Sequence, residues 1–186
     1  MNLKSNSTED EKESPFYKIN KDFATEFEHF ILEKNGTVKG NYNVWSYTLF
    51  GKIATPNNWI LKYKKATFSS ANLLLSTKYQ NLLVLAEWQT KMIGTGNSDF
   101  IIRKKTKTDF IKLWFSSRVS KFNIYHKYII KSENNTSELI SKLTKILAPL
   151  FESKEIYSVE HRHNKLSIEL RTDKHHFEIF NKLTKL

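Results

Sequence analysis

His161 and His163 stand two residues apart, so on one strand both imidazoles would leave by the same face. Joined by His126, His175 or His176, they could hold a metal ion and seed a metal-dependent hydrolase. No matched carboxylate cluster accompanies them. The plainer reading is an exposed hairpin that carries two histidines. Glu87 and Lys91 suggest a second chemistry, because some nuclease strands end in an acid and a lysine. Those sites use an acid-x-Lys spacing, whereas here the separation is four residues, about 13 Å along a strand. The plainer reading is an edge-strand Glu beside the core Trp88.

Other catalytic motifs are absent. Gly94-Thr95-Gly96-Asn97 lacks the full dinucleotide-loop spacing, and neither a Walker loop nor a Gly-x-Ser-x-Gly elbow occurs. The chain has no cysteine, which removes disulfides, thiolate nucleophiles and every Cys-based metal centre. No cofactor is implied, and a non-enzymatic role is expected.

The basic stretches offer a binding chemistry instead. Lys62, Lys64 and Lys65 lie beside Trp59 and Tyr63, and Arg103, Lys104, Lys105 and Lys107 form a second cluster. Single-strand binders combine stacked rings with a cationic groove. Trp59 and Tyr63, however, share strand parity with Leu61, which predicts rings in the core and lysines outside. The formal net charge of +11 favours a polyanionic partner: nucleic acid, anionic lipid or an acidic protein. Of 30 basic side chains only Arg103, Arg118, Arg162 and Arg171 are arginines. Base readout relies on arginine, so a protein partner or an anionic membrane surface is expected ahead of nucleic acid. A Lys- and Asn-rich composition can also arise from an AT-rich coding sequence.

These residues need a scaffold. The length of 186 residues suits one domain over residues 16–186 behind a tail at 1–15. The tail has four acids, one Leu and no aromatic, which predicts disorder. It has neither a basic n-region nor an apolar h-region, so a secretory signal is not expected there. The longest strictly apolar run, Leu82–Ala86, falls far short of the ~20 residues that span a bilayer. A cytoplasmic, soluble protein is expected.

Phe23, Phe27, Phe30 and Ile31 follow Ile19 at helical spacing, predicting a helix over 20–34 with Asn20 as N-cap and Asn35-Gly36 as the stop. The period becomes two over 38–53, and 59–64 reads as a second strand after the turn at 55–58. Leu82–Trp88 and Phe100–Ile102 read as further strands. Ala71–Leu75 could be strand or helical turn, and Asp109–Phe115 fits a short helix or a strand. Phe122, Ile124 and Tyr128–Ile130 read as strand. Asn135 and Glu138 then make a capping box for a helix near 136–148, with Pro149 fixing its end. Residues 156–160 and 165–170 pair around His163-Asn164, and Phe177, Phe180 and Leu183 mark a C-terminal helix. The order predicts an α+β fold: a largely antiparallel sheet flanked by these three helices.

Phe122-Asn123-Ile124-Tyr125, the amphipathic helix, Asn164–Ile168 and Phe177-Glu178 resemble the C-terminal half of an uncharacterised bacterial family. In that family a soluble domain often follows two membrane helices. Phe50–Ile53, Trp59–Tyr63 and Leu83–Leu85 are similar to its central strands, so the likeness covers most of residues 20–182. It implies an α+β domain with no assigned activity and no catalytic residues to carry over. This sequence departs from the pattern in lacking a membrane helix.

Overall fold

The computed structural model describes residues 3–66, 83–91, 99–107, 109, 119–132 and 138–186. It is an α+β fold, with ten mostly antiparallel strands and five helices among the described residues. The chain divides into two compact units, Met1–Glu87 with Arg171–His175, and Trp88–Leu170 with His176–Leu186. The division falls inside one strand, β5 (Leu83–Lys91).

In the first unit β1 (Lys4–Ser5) runs parallel to β2 (Thr37–Tyr42). β2 pairs antiparallel with β3 (Tyr47–Ile53), and β3 with β4 (Trp59–Ala66). The single strand region expected over 38–53 is therefore a hairpin. Asn43 explains the reversal: its Oδ1 accepts from the N–H groups of Trp45 (2.8 Å) and Ser46 (2.7 Å), closing a side-chain turn.

The long helix begins five residues earlier than expected. The short helix α1 (Glu9–Lys12) precedes it, and α2 is Pro15–Glu33. Ser14 is the N-cap of α2, its hydroxyl accepting from Phe16 N–H, and Pro15 occupies the first turn where no N–H is needed. Asn20 is thus mid-helix and fully buried. Its amide donates to the carbonyls of Asn43 (2.9 Å) and Val44 (3.1 Å), tying the hairpin turn to α2. The helix stops as expected, with Asn35 left-handed (φ 53°) before Gly36. The face buried against the sheet is Tyr17, Ala24, Phe27 and Ile31, whereas Ile19 faces outward.

Within the expected tail, residues 3–15 carry local structure. Leu3 is buried, β1 adds to β2, and Ser7 Oγ accepts from Val44 N–H at 3.1 Å. In α1 a capping box links Thr8 and Glu11. Composition alone concealed this, because docking onto a preformed strand edge needs few apolar side chains.

In the second unit the strands run β5, β10 (Lys165–Leu170), β9 (Ile156–Arg162), β6 (Phe100–Lys104), β8 (Tyr128–Ser132) and β7 (Val119–Lys121). The β9–β10 turn is as expected: His163 (φ 48°) and Asn164 (φ 58°) are both left-handed, which a two-residue hairpin requires. Phe122 and Ile124, expected in a strand, instead lie in the segment that links β7 to β8. Within it Tyr125 N–H donates to Phe122 O, and Phe122 and Tyr125 rings pack on Phe151.

α3 (Glu138–Ile146) covers the expected amphipathic helix, and Leu139, Ile140 and Leu143 are buried on it. Pro149 does not end it. Pro149 stands in the first turn of a separate short helix, α4 (Ala148–Glu152), where a missing N–H costs nothing. α5 (Phe177–Leu183) sets Phe180 edge-on to Trp88, ring centroids 5.5 Å apart. Ala71–Leu75, Gly94–Asn97, Asn135 and most of 109–115 lie outside the described residues.

Asn20 should be the costliest polar side chain to lose in the first unit. Asn20→Ala strands the buried carbonyl of Val44 and the half-buried one of Asn43, and urea denaturation should find the protein about 2 kcal/mol less stable.

Candidate functional site

The strand alternation in β2, β3 and β4 sends one set of side chains to α2 and the other outward. Inward go Val38, Tyr42, Leu49, Ile53, Trp59, Leu61 and Tyr63, all buried. Outward go three cross-strand rows set by the register. Lys39, Phe50 and Lys62 form one, Thr37, Lys52 and Ile60 a second, and Asn41, Thr48 and Lys64 a third. Lys4 extends the third row through its pairing with Asn41.

Five lysines therefore share one sheet face: Lys4, Lys39, Lys52, Lys62 and Lys64. Strands lie about 4.8 Å apart and alternate residues about 6.7 Å, so the rows fall within a patch roughly 15 Å across. Lys39 Nζ lies 4.9 Å from the Phe50 ring centroid, a cation–π contact that lays its stem on the ring. Lys62 Nζ meets Glu87 Oε2 at 3.0 Å. Lys4, Lys39, Lys52 and Lys64 are exposed.

The expected cluster of Lys62, Lys64 and Lys65 is thus divided by strand parity. Lys62 and Lys64 join the outward face. Lys65 turns inward beside Tyr63, and its Nζ donates to Asn20 Oδ1 at 2.9 Å. Burial pushes its amine below the usual lysine range, and Asp173 partly opposes that. It is a structural lysine. Lys4, Lys39 and Lys52 went unnoticed in the sequence because they are isolated, and only the hairpin register brings them together.

The second expected cluster does not present a continuous cation array. Arg103 makes a two-point hydrogen bond to Asp109, both contacts 2.6 Å, and Asp109 is buried. Thr106 adds its N–H (2.7 Å) and hydroxyl (2.8 Å) to the same carboxylate. These donors, Arg103 foremost, hold the Asp109 carboxyl well below the usual carboxylate range against the opposing effect of burial. Lys104 leaves β6 on the opposite face from Arg103, as strand alternation requires. Lys105 anchors its N–H on Lys127 O, and Lys107 is exposed.

The histidines do not converge. His161 points into the core of the second unit, 1% exposed, stacked 5.7 Å from Phe100. His163 lies two residues on, in the left-handed turn, where its N–H donates to Asp99 Oδ1. The assumed common face fails because the strand ends at Arg162. His175 stacks at 3.7 Å on Phe23, with Nε2 2.9 Å from Phe23 O. His176 Nε2 meets Glu155 Oε1 at 3.2 Å, and His126 is exposed in the β7–β8 link. Among the described residues, no group of three His, Cys, Asp or Glu side chains is placed to hold a metal. Glu87 contacts Lys62, so the nuclease pairing with Lys91 has no geometric support.

Asp109 carries a testable pH signature. Its folded pKa lies below its unfolded one, so its contribution is present above the ordinary carboxylate pKa of about 4 and lost as pH falls below it. Asp109→Asn should cost about 2 kcal/mol at pH 7, and the gap to wild type in urea midpoints should shrink at pH 3. Comparison of the chain with protein-family models and with curated proteins finds no match to either, so the lysine face stands on its own geometry.

Proposed function

We propose that the chain is a non-enzymatic binding module that docks on an anionic membrane surface through the outward lysine face of its first unit. The observation that carries this reading is the gathering of Lys4, Lys39, Lys52, Lys62 and Lys64 on one open sheet face, with Glu87 the acid paired there. Other classes of partner fit this face less well. Nucleic-acid stacking needs open rings, whereas the ring described here is a half-buried Phe50 under Lys39. Protein interfaces draw their energy from buried Trp, Tyr and Arg anchors, and the described face offers none. A sheet of lysines and short polar side chains reads charge density alone, which is what an anionic leaflet presents.

The magnitude is modest. Each basic side chain near an anionic leaflet contributes about 1 kcal/mol. With Lys62 shared with Glu87, the face supplies about 4 kcal/mol, a dissociation constant near 1 mM. Adhesion this weak is reversible and steeply dependent on salt.

Vesicle co-sedimentation tests the reading. Binding is expected to vesicles containing about a third anionic lipid at 50 mM salt, and to be lost at 500 mM or on purely zwitterionic vesicles. Lys39→Glu with Lys64→Glu should weaken it at least tenfold. Equal binding to both lipid types, or none to either, contradicts the reading.

A further inference from the structure

In the second unit, the end of the sheet formed by β9, β6 and β8 carries a small cavity ringed by charge. Its volume is about 270 Å³, and Asp99, Ile101, Lys131, Ser132, Arg162 and His163 line it together with Phe100.

The strand register assembles this ring. Ile101 pairs with Lys131 of β8 on one side and with Glu160 of β9 on the other, so the three side chains leave by one face. Phe100, Ile102 and His161 alternate with them and are buried. Arg162 follows Glu160 by two residues and returns to the open face, where its Nε meets Glu160 Oε1 at 2.8 Å. The left-handed turn then brings His163 back to the start of β6, and its N–H donates to Asp99 Oδ1 at 3.3 Å.

The charges are mixed, and their pairing sorts them. Lys131 is exposed and, among the described residues, has no acid partner. Arg162 gives Nε to Glu160 and keeps its two Nη groups for another acceptor. Lys165, opposite Arg162 on β10, adds an exposed cation at the rim. Asp99 is half-buried, and its partner among the described residues is one backbone N–H, with no cation on it. An ammonium and a carboxylate thus share one cavity without meeting each other.

That arrangement selects the ligand by charge. A simple anion would gain Lys131 and Arg162 but lie against Asp99. A simple cation would gain Asp99 but lie against Lys131. A small zwitterion satisfies both ends with charge-assisted hydrogen bonds, roughly twice as strong as neutral ones. Sites for drug-sized ligands occupy about 300–1,000 Å³, so a cavity below that range suits a smaller molecule. Ile101 and Phe100 offer apolar surface to a short side chain.

We propose that this cavity binds a free α-amino acid, its carboxylate held by Lys131 and the Nη groups of Arg162, its ammonium by Asp99. The site belongs to the second unit and does not rest on the membrane reading of the first.

Two-dimensional amide NMR of the full chain tests the proposal. Glycine, L-alanine, L-serine and L-aspartate are titrated to about 20 mM, which saturates a millimolar site. At least one should move the amides of Asp99, Ile101, Lys131 and His163 along a saturable curve. Sodium acetate, methylamine hydrochloride and inorganic phosphate at matched ionic strength should each fail to do so, because each answers only one sign of charge. Asp99→Asn keeps an oxygen for the His163 N–H and removes the negative charge, and Lys131→Met keeps the stem and removes the positive one. Both variants should retain the wild-type amide spectrum away from the cavity and bind the amino acid about tenfold more weakly. Shifts by acetate, phosphate or methylamine equal to those by the amino acids overturn the proposal, since one sign of charge then suffices. Absence of saturable shifts with all four amino acids, or unchanged affinity in either variant, overturns it as well.

Discussion

Gly51 in β3 faces α2 so closely that a side chain has no room. A Cβ there would lie 2.6 Å from Ile31 Cδ1 and 2.8 Å from Phe27 Cζ. This approach seats α2 on one face of β2, β3 and β4 and leaves the other face to solvent. Strand pleating does the rest, because residues that alternate with a buried set are outward by necessity. The positions of Lys39, Lys52, Lys62 and Lys64 follow from the burial of Val38, Ile53, Leu61 and Tyr63. A shift of one residue in any strand would exchange the two sets and place lysines under the helix.

Lys65 shows how that constraint sorts function from structure. One residue after Lys64 and chemically identical, it falls on the helix side and is held by the Asn20 amide oxygen. Asn20 thereby serves both ends of its amide, donating to the hairpin turn and accepting from Lys65. One buried side chain fixes the turn that carries Trp45 and satisfies the inward lysine. A charge counted along the sequence has no such distinction.

Much of the fold was legible in the sequence. The α+β class, the Asn35-Gly36 stop, the Trp59 strand and the His163-Asn164 turn each rested on a local signal that tertiary context did not override. Asn20 as an N-cap failed because Asn serves equally well as a buried amide, and Ser14-Pro15 was the stronger start signal. Phe122 and Ile124 have strand-forming side chains yet sit in a link, because aromatic and branched residues also pack there. The two histidines looked convergent only while the strand was assumed to continue past Arg162. At the site, Lys62 and Lys64 were legible from parity, whereas Lys4, Lys39 and Lys52 needed the register. Arg103 stood out as a cation, but Asp109, six residues on, was not recognisable as its partner.

Lysine acylation footprinting, read by mass spectrometry with and without anionic vesicles, tests the lysine face most directly. Lys4, Lys39, Lys52 and Lys64 should lose reactivity together when vesicles are present and regain it at high salt. Uniform protection of every lysine, or undiminished labelling of these four on vesicles that bind the protein, would contradict the account.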